Sequence, residues 1–197
     1  MTIFEIASSL FFVLNSLGNI PIFIGLLGRF DLKRQRKIIL RELLFALVLL
    51  LLFNFFGNEI LRVLHIDQPV ISVAGGILLF IIALSMIFPS DDNVEAVRTE
   101  PIIVPLATPI ITGPGSITMT MVFAQEVQNH WVMTIAIFCA WIPTLLVLLA
   151  ASQIKKILGE KGLIACERLG GMLLSLIAVQ MLSKGAINII KASFPNI

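Results

Sequence analysis

Apolar residues come in long blocks along this chain rather than in alternation with polar ones. Six blocks stand out, near Ile3–Gly28, Ile38–Gly57, Val70–Phe88, Pro101–Phe123, Trp131–Ala151 and Leu169–Ile190. A bilayer core about 30 Å thick takes roughly 20 residues of helix, and backbone groups in lipid must be paired internally. The blocks therefore predict six transmembrane helices. Strands of a membrane barrel would alternate over about ten residues, and runs such as Leu47–Phe53 show no alternation.

Composition agrees. Hydrophobic residues are 58% of the 197 and charged residues 13%, with a mean hydropathy of +1.01, where a soluble domain carries roughly 25% charged residues. Six spans with short loops use the whole length, so residues 1–197 read as one transmembrane domain with the lipid bilayer as its surroundings. The net charge of +2 gives no reason to expect a nucleic-acid partner. Cys139 and Cys166 lack a CxxC partner and read as apolar buried thiols. The first block has no basic stretch before it and carries Glu5, so it is expected to remain as the first span rather than leave as a signal peptide.

Lys and Arg set the orientation. Arg29, Lys33, Arg34, Arg36, Lys37 and Arg41 fall in the first loop, Arg98 in the third, and Lys155, Lys156, Lys161 and Arg168 in the fifth. Arg62, Lys184 and Lys191 fall on the other side. Basic residues favour the cytoplasmic side, so loops one, three and five are expected inside and both termini outside.

The chain also repeats itself. A shift of 95 residues lays the run from Gly75 to Met86 on the run from Gly170 to Met181, with seven of twelve positions identical. The same shift, without a gap, lays Glu5 on Glu100 and Gly18 on Gly113. Each copy (about 1–90 and 96–190) holds three spans, an odd number, so the second must insert upside down. The expected fold is an all-α polytopic membrane protein, a 3+3 inverted-topology repeat of the kind many secondary transporters use.

Two spans are interrupted near their middles. The first contains Asn15-Ser16-Leu17-Gly18-Asn19-Ile20-Pro21, and the fourth runs from Pro105 through Thr108-Pro109 to Thr112-Gly113-Pro114-Gly115-Ser116. Proline removes a backbone donor and glycine accepts the resulting dihedrals, so spans one and four are expected to be broken. A broken helix exposes N–H groups at one new end and carbonyls at the other. Those N–H groups attract an anion. The carbonyls, with Asn15, Ser16, Asn19, Thr108, Thr112 and Ser116, suit an ammonium group or a cation. A small zwitterion fits both. A side chain at Gly115 is then expected to block the amides while sparing the fold. Such pairs also arise in helices that are merely kinked, but interruptions at matching positions of an inverted repeat point to a transport site.

Other candidates carry less. Gly75-Gly76 and Gly170-Gly171 suit close helix packing. Ser85 and Gln180 are equivalent and suit either a cavity wall or interhelical bonding, while Glu5 and Glu100 suit helix caps or gate partners. His65 and His130 are expected in solvated loops, with Trp131 as an interfacial anchor. No span carries an ionisable residue near its middle, which disfavours an intramembrane proton relay. The sequence also offers no HExxH, GxSxG or Walker loop on which to build an enzyme or place a cofactor.

The two interruptions also resemble the MarC family, classed as neutral amino acid transporters. That family carries N/D-P-x-G-x-x-P in its first span and P-x-x-x-G-P-G-x-I in its fourth. Here the patterns read Asn15-Ser16-Leu17-Gly18-Asn19-Ile20-Pro21 and Pro109 through Gly113-Pro114-Gly115-Ser116-Ile117, with Glu100 and Pro105-Leu106-Ala107 also similar. Ser16 replaces the usual proline. The resemblance extends end to end and implies a 3+3 inverted fold that transports a small neutral amino acid such as glycine, alanine or serine. On this basis the expected substrate-binding residues are Asn15, Ser16, Gly18, Asn19, Pro21, Thr108, Thr112, Gly113, Gly115 and Ser116. The alternatives are a non-transporting assembly or stress-related membrane protein, and a passive channel. Coupling ion, direction and oligomeric state are left open.

Overall fold

The computed structural model describes residues 2–28, 30–88 and 112–193. These form seven helices: α1 (Ile3–Val13), α2 (Ile20–Leu27), α3 (Leu32–Leu64), α4 (Gln68–Ile87), α5 (Pro114–Val127), α6 (His130–Leu149) and α7 (Ala151–Ser193). Among the described residues, four helices are long and apolar enough to cross a membrane: α3, α4, α6 and residues Lys161–Ala192 of α7. Every regular element among the described residues is thus a helix, as in a helical membrane protein. The first half of the fourth apolar block lies outside the described residues.

Local chemistry sets the helix starts. Thr2 and Glu5 form a reciprocal cap on α1, with Thr2 N donating to Glu5 Oε2 at 2.9 Å and Glu5 N donating to Thr2 Oγ1 at 3.3 Å. Glu5 is therefore a helix cap. Asn129 accepts from Trp131 N and Val132 N at 3.0 and 3.3 Å and starts α6. Proline stands in the first turn of α2, α4 and α5, where its missing N–H costs nothing.

Two elements differ from the sequence expectation. Residues Lys33 to Arg41 belong to α3 and not to a loop; at 33 residues α3 is about 50 Å long, so its basic first turns extend past the hydrocarbon. The expected fifth loop is helical as well. Helix α7 runs from Ala151 to Ser193 and is interrupted only by Gly159, whose φ of 65° places it where other residues are strained.

The most extensively packed pair is α4 with α7. The two run antiparallel, and their glycines let the backbones touch. A Cβ on Gly185 would lie 2.9 Å from Pro69 O, and one on Gly76 would lie 3.0 Å from Ala178 O. Small residues at such crossings are how membrane helices gain packing energy without a hydrophobic drive. Leu79 of α4 and Leu174 of α7 are fully buried. The outward faces carry Phe45, Phe56, Ile81, Leu146 and Leu176, all exposed, which suits lipid. Cys139 is exposed rather than buried, and both cysteines are free. Ser85 and Gln180 also face outward; the Ser85 hydroxyl donates to Ile82 O at 2.8 Å instead of lining a cavity.

Candidate functional site

Between α1 and α2 the chain leaves the helix for six residues, Leu14 to Asn19. The departure begins at Asn15, whose φ of 46° is left-handed, a conformation asparagine tolerates better than most residues. Asn15 Oδ1 then accepts from Gly18 N at 3.2 Å. Gly18 suits this turn because a Cβ there would sit 2.5 Å from the Asn15 amide. Asn19 is buried and donates from Nδ2 to Leu14 O at 3.2 Å, closing the turn from the other side. Pro21 follows in the first turn of α2. Ser16 is 2% exposed and its Oγ has no hydrogen-bond partner.

The second group lies at the start of α5. Gly113 is the N-cap with extended backbone, followed by Pro114. Ser116 N and Ile117 N both donate to Gly113 O, at 3.1 and 3.3 Å, and the Ser116 hydroxyl donates to it at 2.9 Å. Thr112 and Ser116 are both buried. Thr108 lies outside the described residues, as do Glu100 and the Pro105-Leu106-Ala107 run.

The hydrogen bonds described for Asn15 and Asn19 stay within their own turn, and that of the Thr118 hydroxyl stays within the opening turns of α5. Packing brings α1 against α5 and α7, and Asn15 Oδ1 lies 4.0 Å from where a Cβ on Gly170 of α7 would be. Gly115 departs from expectation. A Cβ there would lie 2.6 Å from the Leu79 side chain of α4, so the residue packs against a neighbouring helix, and a bulky substitution would strain the fold.

A small cavity of about 40 Å³ lies elsewhere, between α2, α3 and the α6–α7 corner, with Gln35, Arg36 and Gln153 among its walls. Of the candidate residues, Ser16, Gly18, Asn19, Thr112, Gly115 and Ser116 are buried, and Asn15 and Gly113 are half-buried.

Two other buried polar residues, Glu42 and Asn54, have no place in the sequence reading, and His130 is placed differently from its expectation. Glu42 of α3 is fully buried and receives Arg41 Nη2 at 2.7 Å. Asn54 of α3, 1% exposed, donates to His130 O and to Thr134 Oγ1, both at 3.1 Å. His130 is not a solvated loop residue: it opens α6, its Nδ1 is buried, and its ring lies 5.5 Å from that of Phe55. Asn54 had a visible signal, as a lone amide within the apolar run from Leu43 to Phe56.

A bundle of long apolar helices packed through glycines, with enclosed polar turns and lipid-suited outer faces, defines a multi-pass membrane protein. The chain belongs to the MarC family: the model described as MarC family integral membrane protein matches residues 1–190. It is similar to the UPF0056 inner membrane protein YhgN of Escherichia coli K12, with 40% identity covering 93% of this chain and 95% of the relative. A UPF0056 membrane protein of Buchnera aphidicola subsp. Schizaphis graminum is 38% identical, covering 95% of each chain. One from Chlamydia trachomatis serovar D is 40% identical, covering 93% of this chain and 92% of the relative. No solved structure matches.

Proposed function

We propose that this protein is a secondary transporter of small neutral amino acids in the bacterial inner membrane, built as two inverted copies of a three-span unit with both termini outside. The observation that carries the reading is the turn from Leu14 to Asn19: irregular backbone, enclosed by protein, with the Ser16 hydroxyl buried and unpaired. Non-helical backbone at membrane depth survives only where protein or a wet cavity satisfies it. Its repeat-related position is the Gly113 N-cap of α5, since Gly18 and Gly113 are 95 residues apart. Interruptions at corresponding places in inverted halves are where such transporters hold substrate.

The α4–α7 pair supports the two-copy reading. Gly76 of α4 approaches Ala178 O of α7, and Gly171 of α7 approaches Ala83 O of α4. Adding or subtracting 95 exchanges one contact for the other, as a two-fold axis in the membrane plane requires. The site then takes the substrate carboxylate at the α5 start and its ammonium group at the carbonyls of the 14–19 turn, with Asn15, Ser16 and Asn19 beside it. Thr108, Thr112 and Ser116 complete this proposed polar lining. The two repeats rock about this centre to open it to either side.

Purified protein in proteoliposomes, given a panel of labelled amino acids, tests the reading. Saturable uptake of glycine, alanine or serine, with leucine and glutamate excluded, is expected. A scaffold without transport is favoured by one observation, the packing of Gly115 against Leu79, and it expects no uptake at all. A channel expects uptake that does not saturate.

A further inference from the structure

Four buried polar atoms without hydrogen-bond partners stand at the α5–α6 end of the bundle: Asn54 Oδ1, Asn58 Oδ1, Gln125 Oε1 and His130 Nδ1. Asn54 is the innermost. Its Nδ2 faces the His130 carbonyl, which can only accept, so the amide is held one way round and its oxygen is turned elsewhere. Thr134 Oγ1 accepts from the same Nδ2 and donates to His130 O at 2.7 Å, which locks α3 to α6 at this point. Asn58 stands one turn further along α3, on the same face. Between them Gly57 meets Met121 of α5, whose side chain would lie 3.0 Å from a Cβ there. Gln125 stands one turn beyond Met121 on that side of α5.

A buried carbonyl oxygen left unpaired is costly, and three on neighbouring turns of two helices in contact amount to a demand for positive charge or for donors. The nearest carboxylates along α3 and α5 are engaged elsewhere: Glu59 with Arg62 at 3.4 Å and Glu126 with Lys184 at 3.5 Å. The three amide oxygens are therefore neutral acceptors, partly sealed from solvent. Divalent cations in proteins are usually held by carboxylates, which this set lacks. Gly57, without a side chain, lets α5 approach α3 closely at this point.

We infer that the side-chain oxygens of Asn54, Asn58 and Gln125 form a binding site for a hard monovalent cation of sodium size. Under the proposed topology this end of the bundle faces outward, so the ion enters from the external side. An ion held between α3 and α5 also ties the start of the second copy to the middle of the first. Binding itself is measured without transport, so failure of the cation site leaves the transporter reading standing, and failure of transport leaves the site standing.

The test is thermal unfolding of the purified protein in detergent, with sodium chloride replacing choline chloride at constant ionic strength. Sodium is expected to raise the melting temperature saturably. Asn58→Ala and Gln125→Met, which each remove one oxygen from a half-buried residue, are expected to raise the half-saturating concentration by about tenfold, the equivalent of one lost ligand contact. Equilibrium dialysis of radioactive sodium against the wild type gives a second reading and should show stoichiometric binding. Equal melting in sodium and choline would overturn the proposal and leave ordered water at the oxygens. A sodium effect unchanged in both variants overturns it as well, because the ion then sits elsewhere.

Discussion

Gly76 and Gly171 stand in the same relation to one another's helix: a Cβ on Gly76 would lie 3.0 Å from Ala178 O, and a Cβ on Gly171 would lie 3.0 Å from Ala83 O. The partners are also 95 residues apart, and both alanines are fully buried. The two contacts are related by that offset, and Leu79 and Leu174, which are also 95 residues apart, are both fully buried.

Both glycines are expected to be intolerant of side chains. Gly76→Val and Gly171→Val should each lower stability by about 1–3 kcal/mol through overpacking, to a similar extent because the contacts are equivalent. Gly25 is the control, with no atom within 4 Å of its would-be Cβ; Gly25→Ala should be neutral or stabilising by up to about 1 kcal/mol from helix propensity. Thermal unfolding in detergent measures all three, and unequal losses at the two glycines would argue against the symmetry.

The 14–19 turn depends on Asn15 in two separable ways. Asn15→Gly keeps the left-handed φ but removes the bond to Gly18 N, at a cost of about 1 kcal/mol. Asn15→Val loses the bond and also forces a β-branched residue to positive φ, with a further penalty of order 1–3 kcal/mol. Stability should therefore fall in the order wild type, Asn15→Gly, Asn15→Val. Gly18→Ala should resemble the glycine variant, since its methyl displaces the Asn15 amide.

Much of this was legible in the sequence, and the reasons differ by element. Blocks of Leu, Ile and Phe fix which segments are helical because lipid permits little else, and Gly18 and Pro21 mark the turn after α1. Helix ends were harder. Basic residues from Lys33 to Arg41 read as a loop because charge is excluded from hydrocarbon, but a helix can simply continue into water, as α3 does. The role of Gly115 was read from the proline beside it, whereas Leu79, 36 positions earlier, decides what fits there. Cross-helix pairs such as Asn54 with His130 leave no trace in local pattern either.

Topology supplies another expectation. Tags at the two termini should report the same, external side of the membrane, because eleven of the fourteen Lys and Arg residues fall in the loops assigned inside. Replacing Arg34, Arg36 and Lys37 with glutamine should produce a mixed population, since the first loop carries most of the bias. A cytoplasmic signal from either terminus of the wild type would refute the assignment.

The Ser16 hydroxyl separates function from packing. It is buried with no partner, and a buried hydroxyl left unpaired costs about 1–3 kcal/mol relative to a satisfied one. Deleting it should not weaken the fold, so Ser16→Ala is expected to melt at the wild-type temperature or slightly above. A residue kept only for packing would show nothing more. On the transporter reading the hydroxyl contacts substrate, so uptake of small neutral amino acids should fall about tenfold, the equivalent of about 1.4 kcal/mol in binding. Stability and uptake then move in opposite directions. Proteoliposome uptake and thermal unfolding on the same preparation measure the split, and unchanged uptake would remove Ser16 from the site.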